Sequence, residues 1–209
     1  NLADGAWERI TEPSTIPAGT DADDFLSRDP LSDGRPVSRH TYDGIEYLAD
    51  LDVVWGHAGA RARDGGGTSV NWFFDPTTSI WSSRAEGPGG LMNASAYDEA
   101  GQRIFVKKSE TLHIYDLGAD AWSEVDGFGY PPLWPRYAEG GDRTGAFDPT
   151  RDLFWSVGSG EIMVWDAETN TDATDDWVTT GGGDYSNADG AGSRPDQLFE
   201  SGGGDIYDT

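Results

Sequence analysis

The chain has 209 residues and a mass of 22.5 kDa, with 14 basic against 38 acidic side chains, a net charge of −24 and a pI near 4.1. So negative a field repels phosphate backbones and anionic lipid, which argues against nucleic-acid binding and against docking on a charged membrane surface. The absence of cysteine excludes disulfides, thiolate chemistry and cysteine-built zinc sites, and no run approaches the ~18 apolar residues of a membrane span.

The acids are spread along the whole length and not gathered into a tail, which reads as a solvated surface suited to salt or to an extracellular medium. Lys107 and Lys108 are the only lysines, and arginine supplies the remaining positive charge. The length suits one large all-β domain. The chain opens on Asn1 with neither an initiator methionine nor a charged-then-apolar leader, so a processed, excised or partly observed product is expected.

In chain order, residues 1–10 (NLADGAWERI) read as the outer strand of a shared or incomplete repeat unit. Residues 11–35 form a polar stretch too long for an ordinary connection, read as an extended loop across one face. From residue 36 onward the sequence repeats. EYLADLDVVWGHA from Glu46, AYDEAGQRIFVKK from Ala96 and AFDPTRDLFWSVG from Ala146 share one shape: an aromatic, a short turn, then an apolar strand. Their aromatics stand at 47, 97 and 147, a period of 50.

A second phrase follows in each unit. Phe74-Asp75, Tyr115-Asp116, Trp165-Asp166 and Tyr207-Asp208 recur, and Trp81, Trp122 and Trp177 close the first three. Between the strands lie D-P-T, E-A-G, D-L-G and P-T-T, turn residues in which Pro presets φ, Gly accepts positive φ and Asp caps its own turn. The strands are β-branched and aromatic, and no amphipathic helix of ten or more residues is expected. Each unit therefore predicts four short antiparallel strands. At this period that describes the blade of an all-β propeller, in which bulky rings on the third and fourth strands fill the widening gap between blades. Complete units are expected at about 36–86, 89–129 and 136–183, with a partial one over 184–209.

GRPVSRHTYDGIEYLADLDVVWGHAGA, from Gly34, together with the recurring aromatic-Asp to Trp phrase, resembles the secreted bacterial branch of the kelch-repeat family. The resemblance covers about residues 35 to 209 and implies a β-propeller with kelch-like four-stranded blades, about four blade-equivalents in all. Reading the C-terminal IYDT into NLADGAW rebuilds the same phrase from Tyr207, Asp208 and Trp7. Two closures fit: a four-bladed ring shared between the termini, or a segment of a six- to seven-bladed propeller. The copper radical oxidases that share kelch-like propellers need a cysteine–tyrosine crosslink, which this chain cannot make.

Candidate ligand-binding residues lie in the segments expected to gather at one face of the sheets. His57, Arg61 and Arg63 stand in HAGARARDGGGT, Tyr130, Trp134 and Arg136 in EVDGFGYPPLWPRYAEGGDR, and Tyr185 in GGGDYSNADGAGSRP. Aromatics held among prolines suit a sugar ring or a partner's surface. Arginines beside three glycines suit an anionic group, although local charge balance with the chain's own aspartates is the favoured reading. His40, His57 and His113 lack metal-like spacing and read as structural. In DYSNADGAG, Asp184 and Asp189 are weak calcium candidates, since the ordered EF-hand pattern is missing, and no other cofactor is expected.

No nucleophile motif emerges. The leading expectation is a non-catalytic interaction or scaffold module, secreted, periplasmic or on the cell surface, binding a protein or glycan partner through the loop face. The alternatives are a carbohydrate-active hydrolase or lyase using that face, and an accessory subunit of a larger assembly whose further blades come from the same or another chain.

Overall fold

A computed structural model describes residue 5 and residues 9–91, 93–108, 111–125, 143–158 and 161–173. The backbone is almost entirely β. One short helix, α1 (Ala22–Leu26), interrupts the N-terminal segment, and the Asp21 carboxylate caps it by accepting from the Asp23 and Asp24 N–H groups at 2.8 and 3.2 Å. A two-stranded ribbon pairs β1 (Arg39–His40) with β4 (Ala60–Arg61). The remaining strands form three four-stranded antiparallel sheets in simple meander order.

Sheet 1 contains β2 (Ile45–Leu48), β3 (Val53–His57), β5 (Asn71–Asp75) and β6 (Ile80–Arg84). Sheet 2 contains β7 (Ala94–Asp98), β8 (Arg103–Lys108), β9 (Thr111–Asp116) and β10 (Ala121–Val125). Sheet 3 contains β11 (Arg143–Asp148), β12 (Leu153–Gly158), β13 (Glu161–Asp166) and β14 (Thr171–Asp172). The first strand of sheet 2 lies against the first strands of both neighbours, so β2, β7 and β11 gather on the inside. This is a β-propeller-like arrangement of blades, and among the described residues it does not close into a ring.

The turns explain the period. Six hairpins, from β2–β3 through β13–β14, each span four residues, and in each the fourth residue takes a positive φ: Asp52, Ser79, Gln102, Asp120, Asp152 and Asn170, all between 50° and 58°. Asp and Asn tolerate that conformation best among residues with a side chain, and they fill four of the six positions. The last strand residue before most of these turns is an aspartate that accepts turn N–H groups. Asp75 takes Thr77 and Thr78 at 2.8 and 3.1 Å, Asp116 takes Ala119 at 2.7 Å, and Asp166 takes Glu168 and Thr169 at 2.9 and 2.8 Å. Asp98 and Asp148 do the same for Gly101 and for Thr150 and Arg151. In the β2–β3 hairpin Leu48 holds this position and is fully buried between sheets.

Alternation along each strand gives every sheet two faces. Between sheets 1 and 2, Leu48, Trp55 and Phe73 meet Ile104, Val106 and Tyr115. Between sheets 2 and 3, Phe105 and Leu112 meet Phe154, Met163 and Trp165. The fourth-strand tryptophans sit in matching places. Trp81 pairs across the ladder with Phe74 at 4.7 Å between ring centres, and Trp122 pairs with Tyr115 at 5.0 Å. The Trp122 indole N–H then donates to the Ala85 carbonyl, just past β6 of sheet 1, at 3.0 Å, while Asp120 accepts from the Ala85 N–H at 3.0 Å.

At the inner strands the backbones approach so closely that side chains are excluded. A Cβ on Gly145 would stand 2.1 Å from the Ser95 carbonyl oxygen, in the joint between β11 and β7. Gly145→Ala should therefore lower stability by about 1–3 kcal/mol. Thermal unfolding followed by near-UV circular dichroism measures it, and an unchanged melt would contradict this packing.

Candidate functional site

Three places in the described structure bring chemically active side chains together: the loop end, the joint of the inner strands, and a cleft beside sheet 1.

At the loop end, His57 is fully buried. Its ring lies between Trp55 and Trp122, at 5.7 and 4.8 Å, with Nε2 3.2 Å from the Pro88 carbonyl. Burial holds its pKa down at about 4, so it is neutral at pH 7 and faces the packed interior, not solvent. Arg61 forks onto Asp64, with Nε and Nη2 donating at 3.1 and 2.9 Å, and Arg63 pairs with Asp23 of α1. Both arginines are thus engaged with the chain's own carboxylates. Tyr130, Trp134, Arg136 and Tyr185, with the calcium candidates Asp184 and Asp189, lie outside the described residues, as do Trp7, Trp177, Tyr207 and Asp208. Among the described residues no cluster of three His, Cys, Asp or Glu side chains is placed to hold a metal ion, and no helix is long and apolar enough to cross a membrane.

At the joint, one carboxylate ties all three sheets. Asp43, just before β2, accepts the Ser95 N–H of sheet 2 at 2.9 Å, and from sheet 3 the Gly145 N–H at 2.6 Å and the Thr144 hydroxyl at 3.3 Å. The Ser95 hydroxyl reaches both the Asp43 carbonyl and, at 2.8 Å, the Glu46 carboxyl. It has a single proton to give, so a protonated Glu46 that donates to Ser95 satisfies all three groups. Burial, helped by the nearby Asp43 charge, raises the Glu46 pKa to about 7, and burial raises that of Asp43 as well.

The folded state therefore binds the Glu46 proton more tightly than the unfolded chain, where the ordinary value of 4.5 applies. That stabilisation is complete below pH 4.5 and is lost as pH rises through about 7. His57 works oppositely, its neutral form losing ground as pH falls from 6.5 through about 4. Glu46→Gln should accordingly gain stability relative to the parent chain as pH climbs from 5 to 7.5. Urea midpoints across that range measure it, and a constant difference between the two proteins would contradict the assignment.

The third place is a cleft of about 430 Å³ between sheet 1 and the N-terminal segment. Val54, Gly56, Trp72 and Trp81 form its floor, and Phe25 and Leu31 stand opposite. The segment reaches across because Phe25, Leu31 and Val37 make a small core of their own. Asp29, almost wholly buried, locks that core to the sheet. It accepts from Arg39 Nη2 at 2.6 Å, from the Trp72 indole N–H at 3.2 Å, from the Val37 N–H at 3.3 Å and from the Thr68 hydroxyl. Trp72 is thereby fixed in place, and Trp81 meets it edge-on, with ring centres 6.2 Å apart at 90°. Such a volume, walled by rigid rings and rimmed by polar residues that include Glu12, Arg35 and Thr41, is the form that small ligand sites take, at ~300–1,000 Å³. Asp29→Ala leaves the Arg39 charge buried and unpaired, so it should cost about 3–5 kcal/mol in a denaturant titration. A loss within error of zero would show that the carboxylate is not the lock.

None of Asp29, Asp43, Glu46 and Trp72 was singled out by the sequence patterns. For Gly56 a signal existed: aligning units by 50 sets it against Val106 and Ser156. The class that fold and cleft define is an all-β chain of stacked four-stranded sheets, propeller-like, with an aromatic cleft on one flank. No protein-family model matches the sequence, and no curated protein resembles it significantly.

Proposed function

We propose that the chain is a kelch-like β-propeller module that works by binding, a non-catalytic interaction or scaffold unit of the extracellular space or cell surface. Its partner, a protein or a glycan, engages the aromatic cleft. The carrying observation is the cleft itself, since Trp72 and Trp81 are held at right angles by the Asp29 lock and by Phe74 before any ligand arrives. Preorganised rings lose little entropy on binding, which favours recognition. The kelch-like reading is supported by the 50-residue spacing and by three successive four-stranded meanders. An extracellular setting accords with a net charge of −24 on a cysteine-free chain.

The test is a ligand screen on glycan and peptide arrays, followed by Trp81→Ala. Trp81 is half-buried at the cleft and ties no sheet to its neighbour, so its removal should spare the fold and weaken binding about tenfold or more. A ligand found on the arrays that binds the Trp81→Ala protein as tightly as the parent would displace the cleft from this role.

A further inference from the structure

We propose that the cleft is a socket for a large aromatic side chain, tryptophan or phenylalanine, presented from a β-strand of a partner protein. This rests on the binding reading above and names the chemistry of its ligand.

The chain makes one ring-in-socket contact twice with itself. In the joint between sheets 1 and 2, Trp55 of the second strand packs with Ile104, Val106 and Tyr115 of the next sheet. Between sheets 2 and 3, Phe105 occupies the place of Trp55 and packs on Phe154 at 5.2 Å and on Phe147 at 5.8 Å, within the cluster that holds Trp165. Both receiving faces are built alike, from second-strand residues at 104 and 106 or at 154 and 156, with a third-strand ring at 115 or 165.

Stepping back 50 residues along the second strand gives Val54 and Gly56, and the matching third-strand ring is Phe74, paired with Val54 in the ladder. These belong to the outer face of sheet 1, and Val54 and Gly56 are floor residues of the cleft. Sheet 1 thus carries the same receiving face, and no described sheet delivers a ring to it. Trp72 and Phe74 are already buried, and the open part of the face lies on its first two strands, where Val54 and Gly56 are half-buried. Its inner-strand members stay exposed, Ile45 at 54% and Tyr47 at 56%. The matching Tyr97 gives its hydroxyl to Asp50 of the preceding sheet at 2.8 Å, whereas the Tyr47 hydroxyl turns to Asp52 of its own hairpin at 2.6 Å. Gly56 replaces the valine of sheet 2 and deepens the socket. A Cβ placed there would have only the Gly44 carbonyl oxygen near it, at 4.0 Å. A sugar would need polar anchors beside the rings; the Arg39 guanidinium is committed to the buried Asp29 carboxylate, and the remaining charged lining groups, Glu12 and Arg35, stand exposed at the rim. A flat apolar ring needs none.

The experiment uses the full chain labelled with fluorotryptophan, with the Trp72 and Trp81 fluorine resonances assigned from Trp72→Phe and Trp81→Phe. N-acetyl-tryptophanamide is the probe, and methyl glycosides and short oligosaccharides are the comparison. Saturable shifts of both resonances with the tryptophan probe are expected. Gly56→Val, which restores the side chain of Val106, should weaken that binding about tenfold while leaving the melting temperature unchanged or higher. Unaltered binding in Gly56→Val would overturn the socket. Shifts with the sugars but none with the probe would overturn the aromatic ligand and leave the binding function standing, whereas no response to either class would remove both. A Trp81 shielded from acrylamide quenching in the isolated chain would also overturn it, because the socket would then be filled by the chain itself.

Discussion

Each sheet is held to the next by one repeated contact, a ring on its second strand pressed against the second and third strands that follow. Trp55 and Phe105 play this part in successive joints, and both are fully buried. The contact is strong because rings of this size remove much apolar surface from water and still pack edge-on or offset against their neighbours. It is also demanding. A ring can reach its seat only if every hairpin returns the chain in the same register, so the four-residue turns with a positive-φ final residue are as necessary to the stack as the rings themselves.

The inner strands add a polar complement. Where β2, β7 and β11 converge there is no room for apolar bulk, and the backbones come close enough to exclude a Cβ at Gly145. Buried N–H groups must find acceptors at that point, and the Asp43 carboxylate supplies them from the middle of the joint. Placing a second carboxyl, Glu46, beside it makes the joint sensitive to proton concentration, while the rings further out are indifferent to it. The acids of the hairpin turns are a separate matter: Asp75, Asp116 and Asp166 accept the turns' own backbone N–H groups.

What the sequence made legible was local. The pairs Phe74-Asp75, Tyr115-Asp116 and Trp165-Asp166 announced a third-strand ring and a turn-capping acid, and both roles are visible in the hairpins. Trp81 and Trp122 announced the fourth strand opposite those rings. The ion pair of Arg61 with Asp64 was also within reach, being three residues apart. Asp29 and Asp43 were not. Their partners stand at 37, 39, 68 and 72, and at 95, 144 and 145, so their roles arise only once the sheets have stacked. The helix at Ala22–Leu26 was hidden for a related reason: with five residues it has too little periodicity to show, and it is held by its Asp21 cap and the burial of Phe25.

The absence of cysteine allows a direct test of the repeated joint. Single cysteines placed at Val54, Ile104 and Phe154 occupy the same point of three successive sheets, and thiol labelling rates in the native state report whether a neighbouring sheet covers each. The repeated contact predicts that positions 104 and 154 stay protected until the chain unfolds, with position 54 labelling faster by about a hundredfold or more. Equal rates at all three positions would contradict it.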